Sequence, residues 1–299
     1  MTPAVEVRGL TKTWKGLFGP AHTALDGLTL SISPGTAFGL IGPNGAGKTT
    51  FIKLLLGVAR PTSGEVRVLG GDPDDTAVRA RIGYLPERLH LPASLSARQV
   101  LRSMATLKQV RPTDQALREL LERVGLKDTG QRVGTFSKGM RQRLGLATAM
   151  LGAPELLILD EPTDGIDPLG RVEVRELLLE ERKRGATILL NSHLLAETER
   201  VCDRVGVLDH GVLKLEGSLD EVRRAASKWA VRFTPGADEA VIQTAGFVRE
   251  GNAWAWVHDV DSLNLALDRV RASGGKLTEL VPASRDLEAV LSATLEPAA

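Results

Sequence analysis

The sequence predicts an α/β fold: a strand-rich body that takes in a helical block over about 88–151, followed by a small α+β unit. Three observations carry this. Short apolar runs at Ala37 to Ile41, Leu156 to Leu159, Thr187 to Leu190 and Val205 to Leu208 read as strands. From about Leu95 to Leu151 the periodicity becomes helical, with Leu117, Leu120, Leu121 and Val124 on one face and Gly125 as a stop. Beyond Gly217 strand and helix patterns alternate again.

In chain order, Val5 to Leu10 and Leu28 to Ile32 alternate as strands do, and Asp26-Gly27 reads as the turn between them. Ala37 to Ile41 runs directly into a glycine-rich loop, and Thr49 to Leu56 reads as a helix stopped by Gly57 and Pro61. Glu65 to Leu69 is a further strand, closed by Gly70-Gly71. The domain limits this suggests are 1–217 for the body, 218–227 for a linker helix (Leu219 to Ala226) and 228–299 for the small unit. In that unit Trp229 to Phe233, Ala253 to Val257 and Lys276 to Val281 read as strands. Leu263, Leu267 and Val270 form a helical stripe ending at Gly274-Gly275, so a split βαβ plan is expected. Trp254 and Trp256 share one strand face and read as core or interface.

At 42% hydrophobic and 25% charged residues, the 299-residue chain is expected to pack a core. Its net charge of +1 gives no electrostatic reason to expect nucleic acid as a partner. No apolar run approaches the ~18–20 residues that span a bilayer, and no signal-peptide stretch opens the chain. A cytoplasmic protein is expected, with any membrane role exercised through another polypeptide. The single cysteine, Cys202, offers neither a disulfide framework nor a thiolate metal site and reads as core filler.

The loop Gly42, Pro43, Asn44, Gly45, Ala46, Gly47, Lys48, Thr49 has the form G-x-x-x-x-G-K-[ST] between a strand and a helix. Its glycines would let backbone N–H groups close around phosphate oxygens where a Cβ would clash, at a helix N-terminus whose dipole favours an anion. Lys48 would reach the β/γ-phosphates, the Thr49 hydroxyl would ligate Mg²⁺, and Thr50 follows in the same turn. ATP binding and hydrolysis with Mg²⁺ are the expected chemistry.

Asp160 and Glu161 end the apolar run that begins at Leu156, at the carboxyl end of a strand where ligands of open parallel sheets sit. Asp160 suits the metal. Strand alternation would point Glu161 away from it, leaving Glu161 to activate water. His193 closes another strand and could donate to the γ-phosphate and the attacking water, or simply lie near a helix start that Ser192 caps. Ser137 reads as an N-cap for a helix running to about Leu151, with Gly139, Lys138 and Arg141 in its first turn. Cations there oppose the helix dipole, so a docked anion is expected at that end.

Taken in order, the phosphate loop, Ser137-Lys-Gly-Met-Arg-Gln, Leu159-Asp-Glu-Pro-Thr163, Asp164-Gly-Ile-Asp167 and His193 resemble the ATP-binding subunit of ABC transporters over about 4–217. The resemblance implies a P-loop ABC-type nucleotide-binding domain with a RecA-like core, an antiparallel β layer and a helical subdomain. It implies a head-to-tail sandwich of two copies, or of this chain with a paralogous ATPase. In it Ser137 and Gly139 of one subunit complete the ATP site of the other, and Asp167 lies at the seam. Trp14 falls where the family stacks an aromatic on adenine, beside what reads as a lengthened loop from Lys15 to Thr23.

Two positions depart from the usual pattern. The signature reads Ser137-Lys-Gly-Met140 rather than Ser-Gly-Gly-Gln, and Glu87 stands where the family has a glutamine that approaches Mg²⁺ and the attacking water. Both variants are familiar in the type-two exporter-like branch, so activity is expected to persist. The resemblance also implies a separate integral membrane permease, contacted through the surface from Glu87 to Leu107 with Leu89-His-Leu-Pro92 as an apolar patch. The chain would then sit on the inner face of the cell membrane. Two alternatives are a soluble relative acting on nucleic acid or ribosomes, and an ATPase serving maturation of copper-containing nitrous-oxide reductase.

Overall fold

The computed structural model describes residues 2–15, 20–225, 229–234, 238–251, 253–256 and 260–282. The chain divides into two compact units, Met1–Glu216 and Gly217–Ala299. In the first, β1 (Val5–Trp14), β2 (His22–Ile32) and β3 (Ala37–Ile41) lead into α1 (Lys48–Leu55), followed by β4 (Ser63–Val68), α2 (Thr76–Ala80) and β5 (Ile82–Leu85). Three helices come next: α3 (Ala97–Leu107), α4 (Asp114–Arg123) and α5 (Lys138–Met150). The remainder is β6 (Leu156–Asp160), α6 (Pro168–Lys183), β7 (Thr187–Asn191), α7 (Leu195–Val201), β8 (Arg204–Asp209) and β9 (Val212–Ser218).

Two sheets result. One is antiparallel, in the order β2-β1-β4, and the other has the order β5-β6-β7-β3-β8-β9. The pairs β5–β6, β6–β7, β7–β3 and β3–β8 are parallel. Every residue of β3, β6 and β7 is buried, which is why these strands are apolar runs rather than alternating ones. The core joins both sheets through α1: Phe51, Ile52, Leu54 and Leu55 pack with Phe38 and Leu40 of β3 and with Leu10, Leu25 and Leu28 of the antiparallel layer.

Asp26-Gly27 is not a turn. It lies inside β2, where the register steps from Leu10↔Leu28 to Lys12↔Leu25, so two residues oppose Thr11. Gly27 takes φ +63, and its amide, lost to the ladder, donates to Thr11 Oγ1 at 3.0 Å. A bulge of this kind mimics a turn in sequence because both demand a left-handed residue. The strands therefore extend to Trp14 and His22, which pair with each other, so His22 and Thr23 belong to β2 and not to a loop; residues 16–19 of the expected loop lie outside the described residues. The strands β5 and β9 and the helices α2 and α6 are not among the elements read from sequence, although α6 buries Gly170, Val174, Leu177, Leu178 and Glu181 at helical spacing.

The helical block is tied to the body by charge as well as packing. Ser96 and Gln99 close a capping box at the start of α3. Glu181 of α6, 2% exposed, receives Arg123 of α4 at 2.9 Å and Arg184 at 2.6 Å. A buried carboxylate is tolerable only with such partners. Arg143 of α5 donates to Val124 O, at the end of α4, and to Glu173 of α6. Cys202 is buried, and burial pushes its thiol up, as core filler requires.

The second unit begins with α8 (Leu219–Ala225) and continues β10 (Trp229–Phe233), α9 (Glu239–Thr244), β11 (Val248–Glu250), β12 (Ala253–Trp256), α10 (Val260–Ala272) and β13 (Leu277–Pro282). Its sheet order, β11-β12-β10-β13 with every pair antiparallel, is the split βαβ arrangement. Val231, Trp254 and Trp256 pack with Phe247 and with Leu263, Leu267 and Val270 of α10. Ala226 and Val257, expected at element ends, lie outside the described residues.

Lys108, just past α3, donates from Nζ to Leu151 O at 3.1 Å and Ala149 O at 3.4 Å, at the carboxyl end of α5. Burial pushes its pKa down to about 8 from the ordinary 10.5. Below pH 8 the folded chain carries a charge that burial penalises; between about pH 8 and 10.5 it sheds that charge before the unfolded chain does, so stability rises with pH. Denaturant titrations should show wild type gaining on Lys108→Met across that window. A difference constant from pH 7 to 10 would contradict it.

Candidate active site

The site forms where β3, β6 and β7 end. Leu40 pairs with Asn191, and Asn191 with Asp160, so the loop after Ile41, the acid of β6 and the amide of β7 reach one level of the sheet. The cleft above them has a volume of about 620 Å³. Gly42, Asn44, Gly45, Ala46, Gly47, Lys48, Thr49 and Thr50 form its floor; Pro43 belongs to the same loop but does not line the cleft. A Cβ on Gly42 would lie 2.1 Å from Leu208 O, and one on Gly47 2.4 Å from Ala24 O. At these two positions the protein's own backbone already excludes a side chain. Gly45, at φ +85, has no protein atom within 4 Å of that position.

Lys48 folds back over the loop, donating to Gly42 O at 2.6 Å and Pro43 O at 3.0 Å. Burial lowers its pKa, opposed by the charges of Glu161, Asp160 and Glu87. Asp160 is 2% exposed and accepts from Asn191 Nδ2. Burial raises its pKa, the Asn191 hydrogen bond opposes this, and Glu87 and Glu161 add to it. Exposed Glu87 lines the same cleft.

Glu161 does not point away from Asp160's side. It leaves strand geometry at φ +53, a left-handed conformation rare outside glycine, and lines the cleft together with Asp160. Alternation fails here because β6 ends one residue earlier. The conformation is held at three points: Glu161 N donates to Asn191 O at 2.8 Å, and its carbonyl accepts from Asp164 N and, at 2.8 Å, from Gln142 Nε2. Its carboxylate takes His193 N on Oε1 at 2.9 Å and faces His193 Nδ1 from Oε2 at 2.7 Å. His193 is thus paired with the acid and keeps Nε2 as its remaining polar atom. Ser192 accepts from Leu194 N, two residues short of the cap position of α7.

Trp14 stands at the mouth, 39% exposed. Lys12 Nζ sits 4.4 Å from its ring centroid, and its Nε1 donates to Thr50 Oγ1 at 3.4 Å. Ser137, Gly139 and Asp167 are not in this cleft. Ser137 caps α5, accepting from Met140 N, and Asp167 caps α6, accepting from Gly170 N, which with its neighbouring amides lowers its pKa. The cations of the first turn of α5 find partners within the chain. Lys138 pairs with Asp164 at 2.8 Å, and Arg141 donates to Phe136 O at 2.6 Å.

Four contributors escaped the sequence reading. Asn191 and His22 line the cleft, as does Asp164, and Gln142 supports Glu161 from α5. For Asn191 a signal existed, a polar residue ending an apolar strand opposite an acid. Gln142 gave none, because its partner is a backbone carbonyl.

A family model described as ABC transporter matches residues 25–164. The chain is 39% identical over 272 residues to an ABC transporter ATP-binding protein of Nostoc sp. (strain PCC 7120), covering 89% of this chain and 81% of that one. It is 39% identical over 246 residues to the bacitracin transport ATP-binding protein of Bacillus licheniformis, covering 81% and 78%. A solved structure described as the ATP-binding subunit of an ABC transporter matches with a TM-score of 0.68 at 33% identity, covering 74% of this chain and 92% of that one.

Gln142→Leu keeps the volume beside Glu161 and removes its amide donor. It is expected to cost about 1 kcal/mol in chemical denaturation, and to lower ATP turnover while nucleotide binding persists. Wild-type turnover in the folded variant would show that the left-handed residue holds without it.

Proposed function

The chain belongs to the ABC transporter family of ATPases, and we propose that two copies close head to tail over two ATP molecules and drive a separate membrane permease in the export direction. One observation carries the composite site: Lys48, Asp160, Glu161 and His193 share a cleft, while Ser137, Gly139 and Asp167 lie outside it on the same chain. A second copy would bring the missing donors. Similarity to the bacitracin transport protein supports a role in transport. Among the described residues no helix is long and apolar enough to cross a membrane, so the permease is a separate part on this reading.

The phosphates would be held by Lys48, the loop amides and the partner copy's signature segment, and Trp14 would stack on the base. Lys12 and Lys53 Nζ already lie 4.4 and 6.0 Å from the centroid of this ring. The donor set suits Mg²⁺. Thr49 and Asp160 offer hard oxygens, with Glu87 nearby, and no cluster of three or more His, Cys, Asp or Glu able to hold a metal occurs among the described residues. Mg²⁺ asks for one or two carboxylates plus substrate phosphates rather than a full protein cage. When bound with ATP it would neutralise charge on the transferring phosphoryl group.

Glu161 would orient the attacking water and accept its proton on a remaining lone pair, since each carboxylate oxygen takes one hydrogen bond from His193 and can accept another. The left-handed backbone brings the carboxylate into the cleft for that purpose. His193, positioned through Nδ1, would meet the γ-phosphate with Nε2.

For the permease, the region from Glu87 to Leu107 remains the proposed contact, with a change of emphasis. Leu89 packs over Gly145 of α5, and Leu89 and Leu91 are both half-buried, so the expected apolar patch is weaker than its sequence implied. Leu107, in contrast, is 75% exposed and borders a cleft of about 220 Å³ shared with Leu56, Tyr84 and Met104.

Glu161→Gln should bind ATP, lower turnover about 100- to 10,000-fold, and elute as a stable dimer with ATP in size-exclusion chromatography. Hydrolysis at the wild-type rate would sink the assignment. Glu87→Gln, reconstituted with the permease, is expected to keep ATP binding and change the amount transported per ATP hydrolysed. An unchanged ratio would count against a coupling role.

A further inference from the structure

Asn191, the last residue of β7, is 5% exposed and asymmetric in its bonding. Its Nδ2 donates to Asp160 Oδ1, while its Oδ1 is buried without a hydrogen-bond partner. Turning the amide over does not remove the asymmetry, because it would set a carbonyl oxygen against a carboxylate oxygen. The backbone allows no escape either, since Asn191 is in register with Asp160 on one side and Leu40 on the other. A buried acceptor of this kind calls for a donor.

None of the donors that line the cleft bonds Asn191 Oδ1. Lys48 Nζ serves two loop carbonyls, and His193 gives its backbone N–H and Nδ1 to Glu161. The phosphates of a nucleotide bring only acceptors. A hydrated divalent cation does bring donors, because Mg²⁺ keeps several of its waters when bound by few carboxylates.

We propose that Asn191 is a positioning residue for the nucleotide's Mg²⁺: Nδ2 holds the Asp160 carboxylate in place and Oδ1 accepts from a water of the cation. The inference rests on the assignment of Mg²⁺ to Asp160. It gives the amide a role that Leu or Val at the same strand position could not fill, because a hydrocarbon can neither donate to Asp160 nor accept from water.

The test uses the full-length chain and reads binding rather than turnover. ATP binding is measured by calorimetry in EDTA and then across a Mg²⁺ titration. Asn191→Leu should leave binding in EDTA unchanged and raise the Mg²⁺ concentration for half-maximal enhancement about 10- to 100-fold, the usual effect of losing an outer partner of a metal ligand. Asn191→Ala, which only empties the position, should do the same if the leucine variant misfolds. A Mg²⁺ curve matching wild type, or an equal loss in EDTA, overturns the proposal. Asp160→Asn separates the two failures. If Asp160→Asn shifts the curve and the Asn191 variants do not, only the Asn191 inference falls; if Asp160→Asn leaves it unmoved, the assignment beneath it falls too.

Discussion

Parallel hydrogen bonding among β6, β7 and β3 sets Asp160, Asn191 and Leu40 at one height in the sheet. Every contact at the candidate site follows from that register. The loop after Ile41 starts there, Glu161 N finds Asn191 O there, and the Asn191 amide meets the Asp160 carboxylate there. A shift of one residue in any strand would turn its apolar side chains toward the wrong layer. Since all three strands are buried throughout, the core enforces the register, and the site inherits its geometry from hydrophobic packing.

The charges in the cleft are arranged at a cost to the free protein. Burial lowers Lys48 and raises Asp160, and in each case the neighbouring opposite charges oppose burial without outweighing it. Both ions are thus disfavoured by burial, Lys48 despite the three carboxylates near it and Asp160 despite the Asn191 amide and Lys48. A ligand that brings phosphates to Lys48 and a cation to Asp160 relieves both together. Either half alone relieves one and leaves the other, a physical reason for nucleotide and Mg²⁺ to bind as a pair under the proposed mechanism.

The glycine loop, Asp160, Glu161 and His193 were legible in sequence because each lies within a few residues of an apolar strand, whose end is itself legible. What depended on backbone conformation was not. Asp26-Gly27 imitated a turn because a bulge needs the same left-handed glycine, and Glu161 broke the alternation rule by leaving the strand one residue after Asp160. Lys138 and Arg141 seemed to await an anion because Asp164 and Phe136 O, their partners, are recognisable only once the chain is folded. Sequence periodicity reports which face a residue takes within an element. It carries no information about the residue just past the end, where most of this site lies.

That limit matters most at α5. The helix begins at the capping residue Ser137, which would meet the partner copy's nucleotide, and Gln142, in its second turn, donates to the carbonyl of Glu161 in the first copy's own site. About one and a half helical turns separate the two contacts, and a helix transmits displacement over that length as a rigid body. Phosphate arriving at Ser137 would therefore bear on the one carbonyl that, with Asp164 N, keeps Glu161 left-handed. Lys138 adds a second link, since its ammonium reaches Asp164, whose amide shares that same carbonyl. Two independent bonds thus run from the first turns of α5 to the backbone around Glu161. Under the proposed mechanism, closure by the partner and alignment of Glu161 would be one mechanical event.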